Sequence, residues 1–423
     1  MIHNIGIDGG NSTLNLVIDG ENFPRSIPSI QSDPSPAKTN YNNSIFKSRN
    51  TNNQLWNKLH AETTLHKNNK DKLFRSEFLL GHMAEEYQKD QRSRGNREKY
   101  QDKDLAKWMI TAMAYALLEL KIQNEDYEIK EGDLLQFNIN MSTGLPYREG
   151  SDEKKKSEWA NMFPGLHEIH FKHPIFKNLK IDLVIEKVLV FVEGEMALNL
   201  ELNKPGGVYD TTKPEALLQK KMVMTDIGGH TTEIVTLSYE MDQDDTYDEF
   251  DISDDEEITI IPETKAHLTD GIQRGVLTIM EDVITEVEEE YRRQGKPLRK
   301  LTTRDIELAF TKKGRFNGKI GWILPEEIYV KDIFERQAEN LAMEIVQRIH
   351  SLFQDIISEI DTIYLCGGGS RIDSIINRIK KELISLGYKD DKITPLTDPI
   401  FANAKGYYLA LVEYVENAEE LAC

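Results

Sequence analysis

Two short stretches in opposite halves of the chain repeat one design. Ile5–Asn15 reads IGIDGGNSTLN, and Lys221–Thr236 reads KMVMTDIGGHTTEIVT. Each runs an apolar strand into an aspartate (Asp8, Asp226), then a Gly-Gly turn, then two hydroxyl side chains, then a second strand. Paired glycines let backbone N–H groups approach a phosphate closely, and a carboxylate at the strand end can hold a hydrated metal ion. Either stretch alone also reads as an ordinary β-hairpin. Two copies facing each other would form a phosphate clamp between two like domains.

The remaining chain alternates strands and helices. Proline flanks the strand in FPRSIPSIQSDPSP, which suits a sheet edge rather than a centre. Residues Lys38–Lys72 are rich in Asn, Lys, Thr and Ser and read as a surface insertion with one short helix near Leu55–Leu65. The spacing predicts a helix over Asp102–Lys121 with one apolar face, on which Trp108 is a core residue. Leu134–Ser142 reads as a strand that meets a turn at Thr143–Pro146. His167, His170 and His173 recur every third residue along an alternating segment, which puts neighbours on opposite faces and disfavours a metal site. The strands Leu179–Ile185 and Val188–Val192 lead to Glu193-Gly194-Glu195 at a helix start, where the dipole alone would favour carboxylates. The spacing further predicts helices over Asp270–Arg293, Thr303–Phe310 (capped by Thr303), Lys331–Ile360, Ser374–Ser385 and Asn403–Glu413, with a loop over Lys312–Trp322. Strand Thr362–Cys366 runs into Gly367-Gly368-Gly369-Ser370-Arg371, a turn of the kind that contacts nucleotides.

The chain has 423 residues, enough for two domains with full cores. Its formal charge of −20 argues against direct contact with DNA or an anionic membrane, since phosphate neutralisation needs a basic surface. The acidic segment MDQDDTYDEFDISDDEE reads as solvated loop, and its carboxylates lack EF-hand spacing. Two unrelated cysteines, no apolar run approaching ~18 residues and no leader-like start give the expectation of a cytoplasmic protein.

In order along the chain, DGGNSTLN (Asp8–Asn15), SIPSI (Ser26–Ile30), EFLLGHMA (Glu77–Ala84), STGLPYRE (Ser142–Glu149) and VFVEGEMAL (Val190–Leu198) resemble the actin/hexokinase/heat-shock ATPase superfamily. So do TDIGGHTTEI (Thr225–Ile234), LTDGIQRGV (Leu268–Val276), YLCGGGSRI (Tyr364–Ile372) and IFANAKGYY (Ile400–Tyr408). More narrowly the set resembles the plasmid-segregating bacterial actins of ParM type. The resemblance implies an α/β fold of two RNase H-like domains around a nucleotide cleft, each with a five-stranded mixed sheet and a smaller subdomain. Domain I would span 1–192, completed by 398–423, with an insertion at about 32–90; domain II would span 193–397, with its subdomain at about 270–335.

The resemblance implies a filament-forming ATPase, with GTP an open alternative, that uses Mg2+ and segregates plasmid DNA. The partners implied are further copies of the chain and a ParR-like DNA-binding adaptor on a centromere-like repeat. Asp8 and Asp226 would hold the metal through water, and Glu193 would orient the attacking water with Asp226 assisting. Gly9, Gly10, Asn11, Ser12, Thr13 and Asn15, with Gly228, Gly229, His230 and Thr231, would hold the phosphates. Gly367, Gly368, Gly369, Ser370 and Arg371 would cover the nucleoside. Where the family usually has a phosphate-loop lysine, this chain has Asn15, and no basic residue lies between Asp8 and Asn15. Glu195 is the rival to Glu193. A non-hydrolysing nucleotide-binding scaffold and a small-molecule kinase of the same fold are the competing functions.

Overall fold

A computed structural model describes residues 2–19, 24–34, 58–67, 73–86, 92–93, 98–125, 127–202, 220–241, 260–311, 313–316, 319–324 and 328–420. The acidic loop from 242 on, and most of the Asn-rich insertion, lie outside the described residues. Contacts divide the chain into two compact units, Met1–Glu201 with Ile400–Cys423, and Leu202–Pro399.

The first unit is built on one long sheet. Its strands are β1 (Ile2–Gly9), β2 (Thr13–Ile18), β3 (Arg25–Pro28), β4 (Ile30–Ser32), β5 (Lys58–Leu65), β6 (Phe74–Gly81), β7 (Arg92–Ser93), β8 (Leu134–Leu145), β9 (Gly165–Phe171) and β10 (Lys180–Val192). They pair in the order β3-β2-β1-β8-β10-β9-β5-β6-β4-β7. β1, β8 and β10 run parallel at the centre, and β3, bounded by prolines, takes the edge as its sequence requires. Its helices are α1 (His82–Glu86), α2 (Lys103–Glu125), α3 (Tyr147–Gly150), α4 (Glu153–Ala160) and α5 (Glu195–Leu202).

The second unit carries β11 (Lys221–Ile227), β12 (Thr232–Met241), β13 (Ile260–Thr264), β14 (Asp270–Ile272), β17 (Ile360–Cys366) and β18 (Ile393–Pro395) in one sheet. β15 (Lys313–Phe316) and β16 (Lys319–Trp322) form a separate hairpin. Helices α6 (Val276–Arg293), α7 (Thr303–Thr311), α8 (Lys331–Phe353) and α9 (Asp373–Ser385) bury apolar stripes over it, among them Ile279 and Val283, Phe334 and Leu341, Ile375 and Ile379. The last helix, α10 (Ala402–Glu420), returns to the first unit. There Ser142 donates to the Tyr407 carbonyl at 2.8 Å.

Several sequence expectations are corrected. Residues 58–65 form a strand, not a helix; β5 pairs along both edges, with β6 and β9, and it has buried side chains on both faces, so the segment shows no simple alternation. Among the described residues the first unit's sheet has ten strands, and the second unit's six, rather than five each. α2 is buried all round from Leu105 to Leu120, not along one stripe. Its buried charges are matched: Glu119 pairs with Arg25 and accepts from Tyr115, and Lys107 donates to Asp104 while lying over the Phe78 ring.

β8 continues through Thr143 and Gly144, because these residues stay in parallel register with Val190 and Phe191; Pro146, lacking an N–H, stands at its end. The two strands expected over 179–192 are one, bent by a bulge between Ile185 and Lys187. The helix expected from Asp270 begins only at Val276, since Asp270–Ile272 pair with β12. Thr303 is the first residue of α7 rather than its cap; the preceding Thr302 donates from N–H and hydroxyl to Asp305. Lys313–Trp322 is a hairpin, and α8 stops at Phe353, followed by a single turn before β17.

Candidate functional site

In the first unit, β1 and β2 set Asp8 directly opposite Asn15, and such partners share one face of a sheet. The connecting turn is anchored from β3's end, where Ser29 donates its N–H to Ser12 and its hydroxyl to Gly10. Met109 and Leu105 of α2 lie beneath Gly9. Asp8 and Asn15 are both buried. The Asn15 amide donates to the Ile400 carbonyl at 3.2 Å, while its Oδ1 is buried with no hydrogen-bond partner among the described residues.

A side chain that motif reading did not single out completes this corner. Lys99 occupies a single 3-10 turn, Lys99–Gln101, ahead of α2. The turn is fixed by the Tyr100 N–H on the Glu149 carboxylate at 2.9 Å, and by Asp102, whose Oδ1 caps α2 by accepting from Leu105 at 3.0 Å. Lys99 is fully buried, and its Nζ donates to Glu193 Oε1 at 2.6 Å and lies 3.8 Å from Asp8 Oδ1. An ammonium so enclosed survives only beside carboxylates. The only forewarning in sequence was the lack of a basic residue between Asp8 and Asn15.

Glu193 leaves the end of β10, its N–H bound to the Leu145 carbonyl at 2.8 Å. Gly194, at φ +85°, turns the chain into α5 and donates to Asn403 Oδ1. Glu195 sits in the first turn of α5, so the Lys99 contact belongs to its rival Glu193. Asn11, Ser12 and Thr13 are at least partly exposed at the turn, with Ser12 the most open.

In the second unit, Asp226 stands opposite Glu233, and Gly228 N–H closes the turn on the Thr231 carbonyl. Helix α6 docks end-on to this turn. Val276 and Leu277 give their N–H groups to the carbonyls of Gly228 and Gly229 at 3.0 and 2.7 Å. The parallel pairing of β11 with β17 puts Asp226 level with Cys366, so the glycine turn after β17 lies against the Asp226 carboxylate. Gly367, at φ +77°, holds its backbone so close that a Cβ would fall 2.2 Å from Asp226 Oδ1. Gly369 rests on Ile227, and Ser370 turns its hydroxyl back to the Gly367 carbonyl. His230 is buried, Gly368 and Arg371 exposed. Thus Asp226, Gly228–Thr231 and Gly367–Ser370 form one group in the second unit, and Asp8–Asn15 with Glu193 another in the first.

Two of the three histidines, His167 and His173, have ordinary structural partners. His167 Nε2 meets the Phe163 carbonyl, and His173 Nδ1 accepts from Ile175 at the head of a short turn. Burial pushes both imidazoles down to about 4.

Comparison of the whole chain with solved structures gives long, full-length matches. A 15-stranded ParM filament from Clostridium botulinum superposes with a TM-score of 0.66, at 20% identity over 97% of this chain and 99% of that one. The actin-like protein Alp7A gives 0.64, at 15% identity over 100% and 99%. This is an actin-like fold. ParM of Bacillus thuringiensis, solved with ATP, gives 0.57, at 15% identity over 98% and 99%. The family described as the C-terminal part of the archaeal actin homologue MreB-like matches residues 224–381. No curated protein sequence matches the chain. Among the described residues no helix is long and apolar enough to cross a membrane.

Proposed function

We propose that the chain is a nucleotide-dependent, filament-forming ATPase of ParM type that moves plasmid DNA through an adaptor protein. The observation that carries the reading is the repeated Asp-Gly-Gly hairpin, once with Glu193 and once with the Gly367 turn gathered beside it. In an actin-like fold such hairpins are the natural phosphate-binding elements, Gly9–Thr13 in one and Gly228–Thr231 in the other. The Gly367–Arg371 turn would take the nucleoside. The nucleotide proposed is ATP, with GTP as the alternative.

A magnesium ion fits the donors present. Among the described residues no cluster of three or more acidic, His or Cys side chains forms a protein cage. An ion at Asp8 or Asp226 would therefore keep water and phosphate oxygens as most of its shell, as magnesium does. The orphaned Asn15 Oδ1, on the same face as Asp8, is an acceptor suited to a metal-bound water. When bound, the ion would neutralise charge on the transferring phosphoryl group. Glu193 would accept a proton from the attacking water, its carboxylate aimed by Lys99. Such catalysis is mostly positioning, so polymer contacts that reorder these groups would set the hydrolysis rate.

The partners proposed are further copies of the chain and a basic, DNA-binding adaptor attached to a centromere-like repeat; the −20 charge favours an adaptor over direct DNA contact. Electron microscopy of the purified protein with and without ATP, alongside phosphate release, tests the reading. Filaments that need nucleotide, with turnover, support it. Filaments without turnover would make the chain a scaffold, and turnover only with an added small acceptor would make it a kinase.

A further inference from the structure

The Asp8 turn contains no cation, yet a triphosphate brings several negative charges to it. The Lys99 ammonium, which comes from a different part of the chain, stands beside Asp8. Resting on the nucleotide reading above, we propose that Lys99 is the phosphate-site cation of this chain. It occupies functionally the place that Asn15 leaves neutral, and it couples that charge to the position of Glu193.

Three observations support this. The side chain is fully buried, although nothing in the backbone of a single 3-10 turn ahead of a helix demands a lysine there. Its turn is held by two independent anchors, the Glu149–Tyr100 hydrogen bond and the Asp102 cap, so the ammonium is positioned in advance. Finally, one of its three donors goes to Glu193, while Asp8 at 3.8 Å is inside Coulombic range but beyond hydrogen-bond length. Lys99, Asp8 and Glu193 together carry a formal charge of −1; without Lys99 the two carboxylates carry −2, and an incoming polyphosphate would meet stronger repulsion. A lysine serving only to satisfy Glu193 would have no bearing on how many phosphates the ligand carries.

That difference is the test. The affinities of adenosine, ADP and ATP are measured by calorimetry for the full chain and for Lys99→Met, Lys99→Gln and Asn15→Lys/Lys99→Met, with folding followed by circular dichroism. Loss of the cation should weaken ATP by about 10- to 100-fold, ADP less, and adenosine little, the range for removing a charge-assisted contact. The double variant, with a cation restored on the opposite strand, should recover much of the ATP loss. Lys99→Gln, which can keep a hydrogen bond to Glu193 without the charge, carries the experiment if Lys99→Met does not fold. Equal weakening of all three ligands, or none, would overturn the proposal while leaving the nucleotide reading intact. A wild-type chain that binds none of them would overturn both.

Discussion

Substituting Gly275 by alanine should separate the placement of the Asp226 hairpin from its composition. Gly275 precedes α6 in an extended conformation that any residue adopts, with φ −157°, so the backbone itself carries no strain. The cost comes from contact. A Cβ there would lie 2.5 Å from the carbonyl oxygens of both Gly228 and Gly229, and 2.7 Å from the Gly229 carbonyl carbon. These are backbone atoms and cannot rotate away. Relief requires α6 and the turn to part by roughly 0.7 Å or more, an overpacking cost of about 1–3 kcal/mol. The same movement strains the N–H bonds from Val276 and Leu277, worth about 1 kcal/mol each. The sum is about 3–5 kcal/mol, a large share of a domain's net stability. Urea unfolding should show the midpoint falling accordingly, and ATP affinity should fall with it, because the glycine turn loses its support. Gly368→Ala is the control for stability: a Cβ there has nothing within 4 Å. Equal midpoints for wild type, Gly275→Ala and Gly368→Ala would refute the argument that α6 positions the turn by direct contact.

Glu193→Ala should leave ATP bound but slow phosphate release by about 10²-fold or more, the scale of a lost water-positioning base; unchanged turnover in a phosphate-release assay removes Glu193 from the mechanism. Asp102→Ala removes the cap of α2 and should cost about 1 kcal/mol in urea unfolding. It should also weaken ATP more than adenosine, since the same residue fixes the Lys99 turn. His167, pushed down to about 4 by burial, makes stability pH-dependent. Above the ordinary value near 6.5 both states are neutral; as the pH falls toward 4, the unfolded chain takes a proton the folded one refuses. Stability should drop by about 3 kcal/mol across that window. Comparing urea midpoints at pH 7 and pH 4.5 for wild type and His167→Gln checks it: the variant should lose less.

Both hairpins were legible in sequence because each carries its own turn chemistry, strand to aspartate to glycines to hydroxyls. The 3.6-residue stripes of α6, α8 and α9 were legible because each lays one face on a sheet. What escaped depended on partners distant in the chain. β5 reads KLHAETTL, where both faces are covered and Thr63 bonds Thr111 of α2 at 2.8 Å, so neither period stands out. α2 showed a stripe in sequence, yet its polar side is also enclosed, because Arg25 and Asp104 neutralise the charges it buries. Lys99 was invisible for the same reason: its meaning lies in Asp8 and Glu193, and nothing in NREKYQDKD says which carboxylates a lysine will meet.

The return of α10 to the first unit has a consequence for biosynthesis. Gly6 of β1 lies directly against the backbone of Ala404 and Tyr408, and Tyr407 and Leu411 are buried. The second unit is a single uninterrupted segment, so it can mature on the ribosome as soon as it emerges. The first unit, though begun earlier, lacks the cover over β1 and β8 until α10, which follows the second unit in the chain, has emerged. The unit that is begun first is thus completed after the second, and a nascent chain stalled before residue 400 would present that bare patch to chaperones.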